Sequence, residues 1–228
     1  MPKEEARPLA PQKGKSYEHS VIYTPPSKTN ARMRFSKKEI GHLSVATLLV
    51  IAVGLSFIGL LGLPSGSNVL NYTAVIVFVM MFSASFFAHE MAHKFIAQKE
   101  GYWAEFRLTL VGAALTLLSV IPIVFKIIAP GAVMIGGPAD RRQVGRISIA
   151  GPATNIILSS TLLGAAILVP DYQRIFLAGA AFNAWIALFN LIPYGIFDGL
   201  KVFGWNKKIW LAAFAVSLTL TAVSYVLL

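Results

Sequence analysis

The stretch VIVFVMMFSASFFAHEMAHKFIA, residues 75–97, decides the fold. Its apolar part is long enough to cross a bilayer as a helix, for which about 20 residues rising 1.5 Å each suffice. Yet it carries His89, Glu90 and His93 within little more than one turn. Ionisable groups inside such a span are costly, face the bundle interior and mark function by default. The helix therefore belongs to a bundle with a polar centre.

The rest of the chain agrees with this reading. Of its 228 residues, 56% are hydrophobic and 13% charged, against about 45–50% and about 25% in soluble domains, and mean hydropathy is +0.66. An ordinary soluble globule is excluded, and these residues leave no room for a large domain outside the membrane. There is no cysteine, which removes disulfides, thiolate metal sites, iron-sulfur clusters and thiol nucleophiles. Any metal must be held by histidine and carboxylate.

Outward from the central span, which runs from about 71 to 97, further apolar runs read as spans at 43–63, stopped by Pro64, and at 147–169, 175–192 and 209–228. The net charge is +10, and residues 1–39 hold nine Lys/Arg and four Glu. That block, with Pro2, Pro8, Pro11, Pro25 and Pro26, reads as a disordered basic tail over 1–40, ahead of a membrane domain over 41–228. By the positive-inside rule the tail is cytoplasmic, the first span runs outward and the second returns. No aromatic-interleaved basic stripe is present, so nucleic acid is not an expected partner. The first apolar run begins only after residue 42, which argues against a cleavable signal peptide.

Residues 108–135, LTLVGAALTLLSVIPIVFKIIAPGAVMI, pose the topological question. A single crossing would put Arg141, Arg142 and Arg146 outside and invert everything downstream. A segment that dips in and returns, helped by Pro122, Lys126, Pro130 and Gly131, keeps those arginines and Lys201, Lys207 and Lys208 in the cytoplasm. The re-entrant path is therefore expected, and with it a cavity, because irregular backbone at membrane depth must be covered by protein or line water.

The motif His89-Glu-Met-Ala-His93 places two imidazoles one turn apart on one helix face, a spacing that suits one metal ion. Glu90 is turned about 100° from His89, beside the metal, where a carboxylate can take a proton from a water on the ion. A catalytic zinc usually has three protein ligands and an open position, so a third ligand is missing. The candidates are His19, His42, Glu100, Glu105, Asp140, Asp171 and Asp198. Asp198, in NLIPYGIFDG, follows an inward-running span at the level of the histidines, provided that the re-entrant path holds. On its own it could equally be an Asp-Gly turn.

At this point the chain resembles the site-2 protease family, zinc metalloproteases that cut peptide bonds in or near the membrane. The resemblance rests on H-E-x-x-H at His89, Glu90 and His93, on N-x-x-P followed by D-G at Asn190, Pro193, Asp198 and Gly199, and on G-P-x-x-N at Gly151, Pro152 and Asn155. These motifs cover about residues 85–199. The family implies an all-α multi-pass membrane fold of about five to six transmembrane helices, with a re-entrant segment and a short β element near the active site. It implies Zn2+ held by His89, His93 and Asp198, with Glu90 as catalytic base. It also places Asn155 near the substrate, where an oxyanion-side or substrate-backbone contact competes with a plain interhelical hydrogen bond. One departure is that Tyr194-Gly195-Ile196-Phe197 lacks the second proline often found before the aspartate.

The expected function is hydrolysis of a membrane-spanning protein in the cell membrane, with the lipid bilayer as surroundings. Lys99 lies ten residues after His89, about 15 Å along a helix, which sets the site in the inner part of the bilayer with access from the cytoplasm. A helical substrate must unwind first, and residues 130–137 offer a strand edge on which it could be held extended. Two readings compete. A metal or proton transporter would use the same ligands, but it commonly shows two related halves, and neither H-E-x-x-H nor the D-G segment recurs here. A scaffold without activity would have no need of Glu90.

Overall fold

In a computed structural model of the chain, residues 33–56, 69–121 and 128–228 are described. Of the tail expected to be disordered over 1–40, residues 1–32 lie outside them, as do the expected breaks at Pro64, Pro122 and Lys126, whereas residues 37–40 already belong to the first helix.

The first helix, α1 (Lys37–Ser56), starts where the Ser36 hydroxyl oxygen accepts the Glu39 backbone N–H at 3.1 Å, an N-terminal cap of the usual kind. Helix α2 (Val69–Lys99) carries the histidine motif toward its C-terminal end. Two later helices, α4 (Arg141–Leu168) and α7 (Lys207–Leu227), are also long and apolar enough to cross a membrane, which makes four such helices among the described residues. Helix α5 (Gln173–Asn190) occupies the expected 175–192 segment and carries Asn183 and Asn190. It sits inside the bundle, where Leu177–Ala184, Ile186 and Ala187 are buried. A helix covered by protein has no need of a lipid-compatible surface.

The two ends of residues 108–135 meet, as a re-entrant path requires. Strand β1 (Trp103–Leu108) pairs antiparallel with β2 (Gly131–Gly136), in a register that runs from Trp103 opposite Gly136 to Leu108 opposite Gly131. The Thr109 N–H also reaches the Pro130 carbonyl at 3.1 Å. A segment whose two ends are hydrogen-bonded to each other returns to the side it left. Between them lies a nine-residue helix, α3 (Leu110–Leu118), capped by the Thr109 side chain.

The two edges of this small sheet are treated differently. The outer edge of β1 is closed by side chains, with the Phe106 N–H on Glu39 at 2.9 Å, the Leu108 N–H on His42 at 3.2 Å and the Ala104 carbonyl on Gln98 at 3.3 Å. Since Phe106 and Leu108 turn their N–H groups away from β2, the antiparallel pattern turns those of Val133 and Gly131 away from β1. That free edge faces the cavity described below.

Glu39 does a second task. It accepts two hydrogen bonds from Lys94 Nζ at 2.6 and 2.5 Å, and both residues are fully buried. The pair ties α1 to α2 one residue beyond His93. Removing one partner would strand a charge in a dry interior, a loss of about 3–5 kcal/mol.

Candidate active site

His89 and His93 face inward from α2, with Nε2 atoms 3.1 Å apart. Asp198 opens the short helix α6 (Asp198–Trp205), and its Oδ2 lies 3.0 Å from His93 Nε2 and 3.5 Å from His89 Nε2. These three are the one group of metal-binding type among the described residues. Ligand atoms 2.0–2.2 Å from a common ion in tetrahedral array stand about 3.3–3.6 Å from one another, close to the spacing observed.

The hydrogen bonds around His93 explain why these atoms need a cation. Its Nδ1 is 2.8 Å from the Ile147 carbonyl, which can only accept. Nδ1 therefore carries the proton, and Nε2 presents a lone pair to a carboxylate that also can only accept. Two such lone pairs at 3.0 Å call for a positive charge between them, which a proton on Nε2 or a bound metal ion can supply. With imidazole and carboxylate donors and no sulfur, zinc fits.

Asp198 reaches this place through the turn after α5. Gly195 takes φ +60°, a left-handed conformation that side chains rarely adopt, and so the chain bends without the second proline. Gly199 then packs against the Leu191 carbonyl, where a Cβ would overlap backbone. Lys201, one turn along α6, brings Nζ to 3.4 Å from Asp198 Oδ1, on the side away from the imidazoles.

Gly151 of α4 supplies room. A Cβ there would overlap Nε2 of both His93 and His89, so the helix backbone itself forms the wall behind the ligand atoms. Asn155, one turn further on, is fully buried and brings Oδ1 to 2.5 Å from His89 Nδ1. Its Nδ2 donates to Asn183 Oδ1 at 2.9 Å and to the Ser85 carbonyl at 3.4 Å. It stands behind His89, not in the cavity, so of the two roles expected for it the structure displays the interhelical bond.

The remaining candidates for a third ligand are elsewhere. Glu100 pairs with Arg146 at 2.9 Å, Glu105 with Arg107 and the Ser36 hydroxyl, and Asp140 caps α4 through Gln143. His42 is bound to β1, Asp171 lies in the exposed turn before α5, and His19 is outside the described residues.

The ligand atoms open on a cavity of about 290 Å³. Glu90 lines it, together with Val133 and Ile135 from β2, Asn190 at the end of α5, Phe197 and Lys201. Glu90 is almost fully buried and lines the cavity together with Val133, on the free edge of β2. The free strand edge, the acidic side chain and the ligand cluster thus share one enclosed space. Asn183 and Ser85, which hold Asn155, were not singled out from sequence, although polar residues in apolar helices are the signal that marks them.

A membrane bundle with an H-E-x-x-H helix, one carboxylate from another element beside the two histidines and a cavity on the glutamate side is the frame of a membrane metalloprotease. Comparison with known proteins agrees. The chain is 32% identical over 184 residues to a protein of Methanocaldococcus jannaschii named "Putative zinc metalloprotease MJ0611", covering 78% of this chain and 89% of that one. It is 29% identical over 153 residues to "Putative zinc metalloprotease Rip3" of Mycobacterium tuberculosis, covering 60% of this chain and 35% of that longer protein. No family model matches the chain, and no solved structure matches it significantly. On the first of these relationships the chain belongs to the site-2 protease-like family, and it is a zinc-dependent protease of the membrane.

Proposed function

We propose that this metalloprotease works inside the bilayer of the cell membrane, N-terminus in the cytoplasm, and hydrolyses peptide bonds of membrane-spanning proteins. His89, His93 and Asp198 hold the zinc and Glu90 is the catalytic base. The observation that carries this reading is the convergence of three lone-pair donors at 3.0–3.5 Å in a cavity that the free edge of β2 also lines.

Zinc bound there supplies Lewis acidity, polarising an oxygen brought to it and making water a competent nucleophile near neutral pH. Glu90 takes the proton of the attacking water and returns it to the leaving amine. The edge of β2 receives an unwound substrate as an added strand, which exposes the carbonyl that a helix keeps hydrogen-bonded. Lys201 engages Asp198 Oδ1 and so leaves Oδ2 toward His89 and His93, where it would serve as a ligand. His93 is held by the Ile147 carbonyl and Asp198 by the start of α6, so the donors are preorganised on three elements.

Purified protein in detergent, given a membrane peptide with and without chelator, tests the reading. Chelator-sensitive cleavage that zinc restores is the expected result. Metal-dependent flux across vesicles without cleavage would instead favour a transporter.

A further inference from the structure

The nitrogen that a histidine offers to a metal is decided by what its other nitrogen does. For His93 the partner is a carbonyl and the choice is closed. For His89 the partner is the amide of Asn155, which has both an acceptor and a donor end. With its oxygen toward the ring, the amide leaves the proton on Nδ1 and frees Nε2 for the ion. With its nitrogen toward the ring, it would put the proton on Nε2, where no metal binds.

What surrounds Asn155 fixes the amide. Ser85 Oγ donates to the Met81 carbonyl at 2.7 Å, so its oxygen is left to accept. The donor that it accepts from is Asn183 Nδ2 at 2.9 Å, and the same Nδ2 reaches the Gly179 carbonyl at 2.9 Å. Both neighbours demand the nitrogen end of Asn183 there, and so Asn183 Oδ1 is turned toward Asn155. That oxygen, with the Ser85 carbonyl at 3.4 Å, demands in turn the nitrogen end of Asn155. Its Oδ1 is left to face His89 Nδ1 at 2.5 Å. Asn155 and Asn183 are fully buried and Ser85 nearly so. Water has little access to stand in for a lost partner, and a rotated amide would set oxygen against oxygen.

We propose that Ser85, Asn183 and Asn155 are positioning residues that carry one hydrogen-bond direction from the Met81, Gly179 and Ser85 backbone carbonyls to His89 and hold it in the Nδ1–H tautomer. The inference rests on the reading of His89 as a zinc ligand. It extends control of that ligand to α5, an element that contributes no ligand of its own, and it makes Asn155 a residue acting through His89. Partners of metal-bound histidines commonly alter metal affinity by about 10–100-fold when removed.

The test is nitrogen NMR of the histidine rings in the full-length, metal-free protein in detergent, with the pH raised until the spectra show both rings neutral. A zinc competition titration accompanies it. The parent protein should show His89 as Nδ1–H. Asn183→Leu frees the Asn155 amide and should populate Nε2–H, with zinc bound about 10–100-fold more weakly. Asn155→Asp presents only acceptors to His89 and should keep Nδ1–H, which also serves if Asn183→Leu fails to fold. Asn183→Leu that weakens zinc with the tautomer unchanged would reduce the network to packing and overturn the proposal, as would Nε2–H in Asn155→Asp. A parent protein with Nδ1–H that binds zinc no better than His89→Ala would overturn the ligand assignment and the proposal with it, whereas Nε2–H in the parent overturns the network alone.

Discussion

A single methyl group at Gly151 should separate metal binding from folding. In Gly151→Ala the three nearest heavy atoms to the new Cβ, Nε2 of each imidazole and Cδ2 of His89, all fall inside the 3.0 Å that real Cβ atoms essentially never enter. The α4 backbone cannot retreat, because Gly151 lies between buried Ser148 and Asn155. The rings must give way. In the metal-free protein they can rotate off their rotamers, and alanine gains roughly 1 kcal/mol over glycine as a helix residue. The metal-bound state has no such freedom. Overpacking of a fixed site costs about 1–3 kcal/mol, which at about 1.4 kcal/mol per tenfold predicts zinc bound about 5–150-fold more weakly. Competition against a chromogenic chelator measures the affinity, and thermal unfolding of the metal-free protein checks the fold. Zinc affinity within twofold of the parent would refute the wall assigned to Gly151.

Asp198→Asn should lose most of the zinc, because the anionic ligand becomes a weak neutral oxygen; metal analysis that still finds one tightly held ion per chain would send the search to another ligand. Glu90→Gln should keep its zinc and lose cleavage by at least about 10²–10⁴-fold, and cleavage within tenfold of the parent at equal zinc content would remove Glu90 as base. Cysteine placed at Asp140 should label from the same side as one at Lys207, and cysteine at Asp171 from the opposite side, with an external Asp140 contradicting the orientation. Lys94→Met leaves the Glu39 carboxylate buried without its cation and should destabilise by about 3–5 kcal/mol, read as a drop in unfolding temperature, while Phe35 loses the ammonium over its ring.

The parts of this fold that sequence revealed are those where a cost forces a pattern. Histidine and glutamate in an apolar helix demand a protected site, and Arg141, Arg142 and Arg146 demand the return of residues 108–135. Strand β1 escaped notice because it is six residues long beside Tyr102 and Trp103, which read as an interfacial pair. Its alternation was present, with Ala104 and Phe106 buried and Glu105 and Arg107 between them. The Glu39–Lys94 pair was not legible at all. Its members are 55 positions apart, Glu39 falls in the basic tail and Lys94 follows the histidine motif, and only packing brings them into a dry contact. Asn183 was legible by the argument that marked Asn155, since both are amides in apolar helices.

What sequence could not supply was the use made of α4. That helix faces the histidine pair with Ile147, Gly151 and Asn155, a stripe repeating every four residues and so running along one side. Ile147 offers its carbonyl to His93, Gly151 offers the absence of a side chain, and Asn155 offers its amide to His89. The order is reversed relative to α2, which is what two antiparallel helices in contact require. Read as a motif, Gly151, Pro152 and Asn155 appear as packing and a break beside one polar residue. Placed against His89 and His93, the same face becomes the template that spaces two imidazoles, sets their tautomers and keeps side chains away from the atoms that bind the ion. Pro152, which lacks an N–H, leaves the Ser148 carbonyl without its helical partner, and Ser148 lines the cavity beside Ile147. The helix without a ligand of its own therefore governs both ligands on α2.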